Sequence, residues 1–151
     1  MLSIKRTTSE DSNFQKLVRL LDIDLQIRDG DLHQYYAVLN KTDGMKTVVV
    51  AYEADQPVGC GAIRAFNNGN DAVEVKRMFV LPEKRQQGIA ATVLSALEQW
   101  AKELNFNKCV LETGKNQPEA LAFYKKNGYL VIPNFGKYIG VENSVCFEKN
   151  I

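Results

Sequence analysis

The sequence predicts a mixed α/β domain in which one sheet is flanked by helices. Three observations carry that reading. Residues 47–81 form a run of strand patterns rich in β-branched residues, and residues 89–104 carry apolar side chains at helical spacing. From residue 108 onward, strand and helix patterns alternate. A length of 151 residues fits one domain spanning residues 1–151.

Taken in order, residues 3–8 read as a strand. Ser9-Glu10-Asp11 offers helix-capping chemistry, and Phe14, Leu17, Val18, Leu21 and Leu25 follow at spacings of three and four. After Asp29-Gly30-Asp31, a second helical piece carries Leu32, Tyr35, Tyr36, Val38 and Leu39, and Asp43-Gly44 is a turn. Strands over residues 47–54 and 58–66 are joined by a turn at Asp55-Gln56-Pro57. Asn67-Asn68-Gly69-Asn70 then turns the chain into a long strand over residues 72–81. The alternation of that strand slips: Val73 and Val75 share one parity, Met78 and Val80 the other. One inserted residue flips the facing, so a bulge is expected near Arg77. Pro82-Glu83 ends the strand, and a loop through Gly88 opens a helix with Ile89, Val93, Leu97, Trp100 and Leu104 as its buried stripe. A strand over 108–113 leads to a helix that starts at Pro118, carries Ala120, Leu121, Phe123 and Tyr124, and stops at Asn127-Gly128. Strands over 129–132 and 144–149 follow.

The composition, 45% hydrophobic and 25% charged, is that of an ordinary globular protein and excludes a disordered chain, a collagen-like repeat and a disulfide scaffold. Nineteen basic residues against 18 acidic ones leave no basic excess, so no nucleic-acid partner is expected. The single histidine, His33, restricts any imidazole chemistry to one ring. Cys60, Cys109 and Cys146 are far apart with no Cys-x-x-Cys pair, so no metal is expected. Val48-Val49-Val50-Ala51-Tyr52, the longest apolar run, is too short to span a bilayer, and no membrane association is expected. With an odd cysteine count and a charged start at Lys5-Arg6, the expected location is cytoplasmic. Two short glycine motifs fail in context. Gly59-Cys60-Gly61-Ala62-Ile63-Arg64 lies inside a strand pattern and opens no helix, and Gly114-Lys115 lacks the rest of a P-loop.

The block from Val73 to Ala90 carries the chemistry. It reads as a strand, a basic loop and a helix whose first turn contains Gly88 and Ala90. Unpaired N–H groups at a helix start bind anions, small residues let a phosphate approach, and Arg85 adds a fixed charge with several donors. A pyrophosphate fits there; the plain alternative is a strand–loop–helix with surface Arg and Gln.

Arg85-x-x-Gly88-x-Ala90 is similar to the Arg/Gln-x-x-Gly-x-Gly/Ala signature of the GNAT superfamily of acetyl-CoA-dependent N-acetyltransferases. Ala120-x-x-Phe123-Tyr124-Lys125-Lys126-Asn127-Gly128-Tyr129 resembles that family's Ala-x-x-Leu-Tyr-x-x-x-Gly-Phe segment, and the element order agrees along nearly the whole chain. The resemblance implies a single GNAT-like α/β (α+β) domain with a central mixed, mostly antiparallel sheet of about six to seven strands. It also implies acetyl-CoA as co-substrate. Backbone N–H groups of Gln86, Gln87, Gly88, Ile89 and Ala90 would hold the pyrophosphate beside Arg85. Met78, Phe79 and Val80 would pair with the pantetheine arm, and Asn116, or its neighbour Gln117, would reach the same region. Tyr124 would protonate the departing thiolate, and Glu74, fourteen residues before Gly88, stands at the spacing of a general base. From the residues alone, Tyr124 can equally be a core aromatic and Glu74 a solvent-facing strand residue. Ala90 stands in place of the second glycine, which slightly narrows the phosphate approach.

The implied activity is transfer of an acetyl group to a primary amine, with a small-molecule amine as partner; a homodimer is left open. The alternative is an acyl-CoA-binding regulatory module without efficient transfer. Phe135 and Tyr138, in the loop before the last strand, are candidates for lining the acceptor pocket. An amino acid, polyamine, antibiotic or protein N-terminus all remain open as acceptor.

Overall fold

A computed structural model describes residues 1–29, 44–66 and 71–151. The expected second helical piece with His33, and the turn at residues 67–70, lie outside the described residues. Within them, the strands are β1 (Leu2–Thr7), β2 (Thr47–Glu53), β3 (Gln56–Ala65), β4 (Ala72–Val80), β5 (Lys108–Gly114), β6 (Leu130–Ile132) and β7 (Ser144–Asn150). The helices are α1 (Ser12–Asp29), α2 (Ile89–Glu103) and α3 (Pro118–Lys126). The strands form one sheet in the order β1-β2-β3-β4-β5-β7-β6, antiparallel throughout except for the parallel β4–β5 pair.

Strand β2 shows why the sheet has helices on both faces. Val48, Val49, Val50 and Ala51 are all fully buried, as expected where both faces are covered. Val49 and Ala51 pack in the cluster containing Val93, Leu94 and Leu97 of α2, whereas Val48 and Val50 pack with Phe14, Leu17 and Leu21 of α1. The α1 stripe is therefore used as its spacing suggests. Its start is capped by Asp11, whose Oδ1 accepts from the backbone N–H groups of Asn13 (2.8 Å) and Phe14 (3.2 Å).

Two local expectations need correction. The β2–β3 hairpin turns at Ala54 and Asp55, with φ of 49° and 65°, and not at Asp55-Gln56-Pro57. Gln56 and Pro57 already belong to β3, opposite Glu53 and Tyr52, where an irregularity in the register tolerates the proline. The second correction concerns α2, whose buried set is Ile89, Val93, Leu94, Leu97 and Ala101. Leu104 follows the helix end, leaves the helical phase and is 46% exposed. Trp100 is half-buried, with the Arg6 guanidinium 4.7 Å from its ring centroid.

Cys60, Cys109 and Cys146 are free and buried. Among the described residues, no helix is long and apolar enough to cross a membrane.

Candidate active site

The cleft originates in the backbone of β4. Gly59 pairs with Val80 and Cys60 with Phe79, but Ala62 pairs with Lys76, so two residues of β4 stand opposite Gly61. Arg77 takes up the extra length at φ 60°, the bulge expected from the slipped alternation. On its other side β4 pairs with β5 only at Ala72↔Lys108, Val73↔Cys109 and Glu74↔Val110. Beyond Glu74 the two strands diverge, and the fork between them encloses a cavity of about 120 Å³. The β4 edge past Glu74 thus has no β5 partner, which leaves backbone groups available to an added strand-like ligand.

One end of this edge leads into the loop before α2. Gln86 and Gly88 have φ of 64° and 81°, and α2 starts at Ile89 with no side chain capping its first N–H groups. A Cβ on Gly88 would meet nothing within 4 Å, so the space before the helix start is open. Arg85 is held in place: its Nε donates to the Val80 carbonyl at 3.0 Å, and its guanidinium lies 5.5 Å from the Phe79 ring centroid. Gln86, Gln87 and Gly88 are exposed, Ala90 is half-buried and Ile89 is buried in the core. Met78 lines the cleft, while Phe79 and Val80 are buried. Gln117 also lines the cleft; Asn116 is exposed, and its side-chain N–H donates to the Arg28 carbonyl at 3.4 Å.

Tyr124 reaches the cleft from α3. It, and not Phe123, is the buried member of that helix, 7% exposed and set among Phe123, Tyr129 and Phe147 with ring centroids 5.1–5.9 Å away. Burial, reinforced by the Glu112 carboxylate, pushes its hydroxyl pKa well above the usual phenol value, so it stays protonated.

Glu74 is buried at the apex of the fork, not solvent-facing. Its Oε2 accepts from the Tyr138 hydroxyl at 3.0 Å and lies 3.7 Å from Lys76 Nζ, and its Oε1 lies 3.7 Å from an Arg64 nitrogen. Burial pushes the Lys76 ammonium down to about 8, against the opposing pull of Glu74. Across the fork, Glu112 of β5 accepts from Ser144 Oγ at 2.6 Å and lines the same cavity. Arg77 pairs with Asp22 of α1 at 2.6 Å, and its buried Nε has no hydrogen-bond partner. Sequence reasoning missed Lys76, Glu112 and Ser144. Strand parity offered the signal, since Lys76 shares a face with Glu74, and Glu112 shares one with Val110, Glu74's partner across the fork.

The sequence profile of the Acetyltransferase (GNAT) family matches residues 14–129. The chain is 34% identical over 150 residues to an IAA acetyltransferase of Azospirillum brasilense, covering 95% of this chain and 96% of the relative. Its fold is similar to that of a Klebsiella pneumoniae protein assigned as an acyl-CoA N-acyltransferase, with a TM-score of 0.80, 30% identity and coverage of 99% and 97%. It is also similar to the PaiA N-acetyltransferase of Thermoplasma acidophilum, crystallised with coenzyme A, with a TM-score of 0.72, 18% identity and coverage of 100% and 99%. A profile match over most of the chain, a relative matched nearly end to end and the forked sheet agree: this chain belongs to the GNAT acetyltransferase family and is an acetyl-CoA-dependent acyltransferase.

Proposed function

We propose that the enzyme acetylates the primary amine of a small molecule. The observation that supports this most is the fork itself, which places a protonated buried phenol, Tyr124, and the Glu74 carboxylate around one cavity beside an open strand edge. Acetyl-CoA supplies the activated acetyl thioester. The residues present fit it: the uncapped start of α2 and the open space at Gly88 suit a pyrophosphate. Backbone N–H groups of Gln86, Gln87, Gly88, Ile89 and Ala90 bind that group, with Arg85 beside it. Met78, Phe79 and Val80 offer their backbone to the pantetheine arm and to the thioester oxygen, and of Asn116 and Gln117 it is Gln117 that lines the cleft beside them.

Glu74 takes a proton from the acceptor ammonium, directly or through water, because only the neutral amine is nucleophilic. The amine nitrogen then bonds to the thioester carbon, and a backbone N–H of the β4 edge stabilises the oxyanion. Collapse breaks the carbon–sulfur bond, Tyr124 delivers its proton to the leaving thiolate, and the extra proton shed by the acylated nitrogen restores the phenol. Glu112 is the second carboxylate of the cavity.

The test is a panel of amines (glycinamide, L-phenylalanine, tyramine, spermidine and a short unblocked peptide) incubated with acetyl-CoA while free thiol is measured. IAA, after the name of the Azospirillum relative, is added as a further acceptor. Thiol release that requires one small amine supports the proposal. Release with a peptide N-terminus alone moves the acceptor to proteins, and acetyl-CoA binding without release across the panel refutes amine transfer.

A further inference from the structure

The contact that ties the acceptor side of the cleft to Glu74 comes from far away in sequence. Tyr138 closes a short turn, Gly136–Tyr138, between β6 and β7, and is 3% exposed. Its hydroxyl donates to Glu74 Oε2 at 3.0 Å and accepts from Lys76 Nζ at 3.2 Å. The turn is fixed independently of Glu74. The Asn134 side chain donates to the carbonyls of Tyr138 and Val141, both at 3.1 Å. The Phe135 ring stands edge-on to Tyr138 at 5.5 Å and to Phe66 at 4.8 Å.

The proton count gives this arrangement a direction. An ammonium has donors only, so Lys76 occupies a lone pair of the Tyr138 oxygen, and the single hydroxyl proton goes to Glu74. Glutamate has three rotatable side-chain bonds, and a base swinging among rotamers spends little time where a proton can be passed. We propose that Tyr138 is a positioning residue for acyl transfer, its hydroxyl holding the Glu74 carboxylate in one orientation toward the cleft, with Lys76 committing that hydroxyl's proton. The inference rests on the reading of Glu74 as the base. The other charged groups around the contact are Arg64 from β3, Glu112 from β5 and Lys137 from the Tyr138 turn itself.

A double-mutant cycle tests it, with kcat measured on the fastest amine of the panel above. Hydrolysis of acetyl-CoA without amine gives the same four-way comparison. Glu74→Gln is expected to lower kcat by about 10²–10⁴-fold. Tyr138→Phe keeps the ring in its aromatic packing and is expected to lower kcat about tenfold, with the KM for acetyl-CoA unchanged within about twofold. In the Glu74→Gln background, Tyr138→Phe is expected to cost nothing further, since it acts through a group already removed. Lys76→Met, which leaves the ring and Glu74 intact, is expected to lower kcat in the same direction and to show the same dependence on Glu74. A retained melting shift with acetyl-CoA certifies that each variant is folded. Wild-type kcat in Tyr138→Phe, or an equal fall in both backgrounds, overturns the positioning role while leaving Glu74 as base. Wild-type kcat in Glu74→Gln overturns the base itself, and this inference with it.

Discussion

Tyr124 combines two properties that are seldom found together, deep aromatic packing and access to a cavity. Because burial holds its proton on, loss of that proton does not shape the neutral or mildly alkaline pH range. Tyr124→Phe removes only the hydroxyl, so acetyl-CoA affinity is expected to stay within about twofold while kcat falls, by no more than the 10²–10⁴-fold typical of a lost general acid. Steady-state kinetics with calorimetric titration of acetyl-CoA measures both. Equal losses in affinity and rate would make Tyr124 a binding residue. Lys76 gives a pH signature in stability. Its ammonium is lowered from 10.5 to about 8 by burial, so between those values the unfolded chain holds a proton that the folded one has released. Stability contributed at this site therefore rises with pH from about 8 to 10.5, by at most about 3–4 kcal/mol, and is flat below that window. Urea unfolding of wild type and Lys76→Met across the window should show the wild type gaining on the variant. A gap that stays constant would mean that Glu74 keeps Lys76 charged throughout.

At the scale of elements, the bulge and the glycine facing it form one device. A Cβ on Gly61 would lie 2.6 Å from Met78 Sδ, 2.8 Å from Leu97 Cδ1 and 3.1 Å from Val93 Cγ1. Gly61→Ala is expected to cost about 1–3 kcal/mol of stability by overpacking. It should also raise the KM for acetyl-CoA, because the movable neighbour, Met78, lines the cleft. Denaturant titration and kinetics read the two effects, and a destabilised variant with unchanged KM would uncouple Gly61 from the cleft. The bulge was legible in the sequence because parity is a local property: Val73 and Val75 disagree with Met78 and Val80 within eight residues. The start of α2 was legible for the same reason, through Gly88 and the apolar spacing after it. The fork between β4 and β5 was not. Nothing in residues 108–114 says that pairing with β4 stops at Val110, since the partner β5 keeps along its whole length is β7, at residues 144–150. The Glu74–Tyr138 contact spans 64 residues and was equally invisible, although Tyr138 itself was singled out as a pocket residue.

For the whole molecule, the cleft is where the two halves of the sheet part, so a ligand lying in it bridges both. Acetyl-CoA at a hundredfold excess over its Kd should stabilise the fold by about 2.7 kcal/mol. For a chain of this size that is a rise in Tm of roughly 5–10 °C. Scanning calorimetry checks it, and an unmoved transition with both acetyl-CoA and CoA would leave the α2 loop without its assigned ligand. The three cysteines have a consequence of a different kind. Each is buried, and burial pushes the Cys60 thiol up to about 12 and those of Cys109 and Cys146 to about 11. A colorimetric disulfide reagent is opened by attacking thiolates, which these groups do not present while the chain is folded. The native enzyme is therefore expected to be dark to the dye that counts released CoA, with its own three equivalents appearing only as the fold opens.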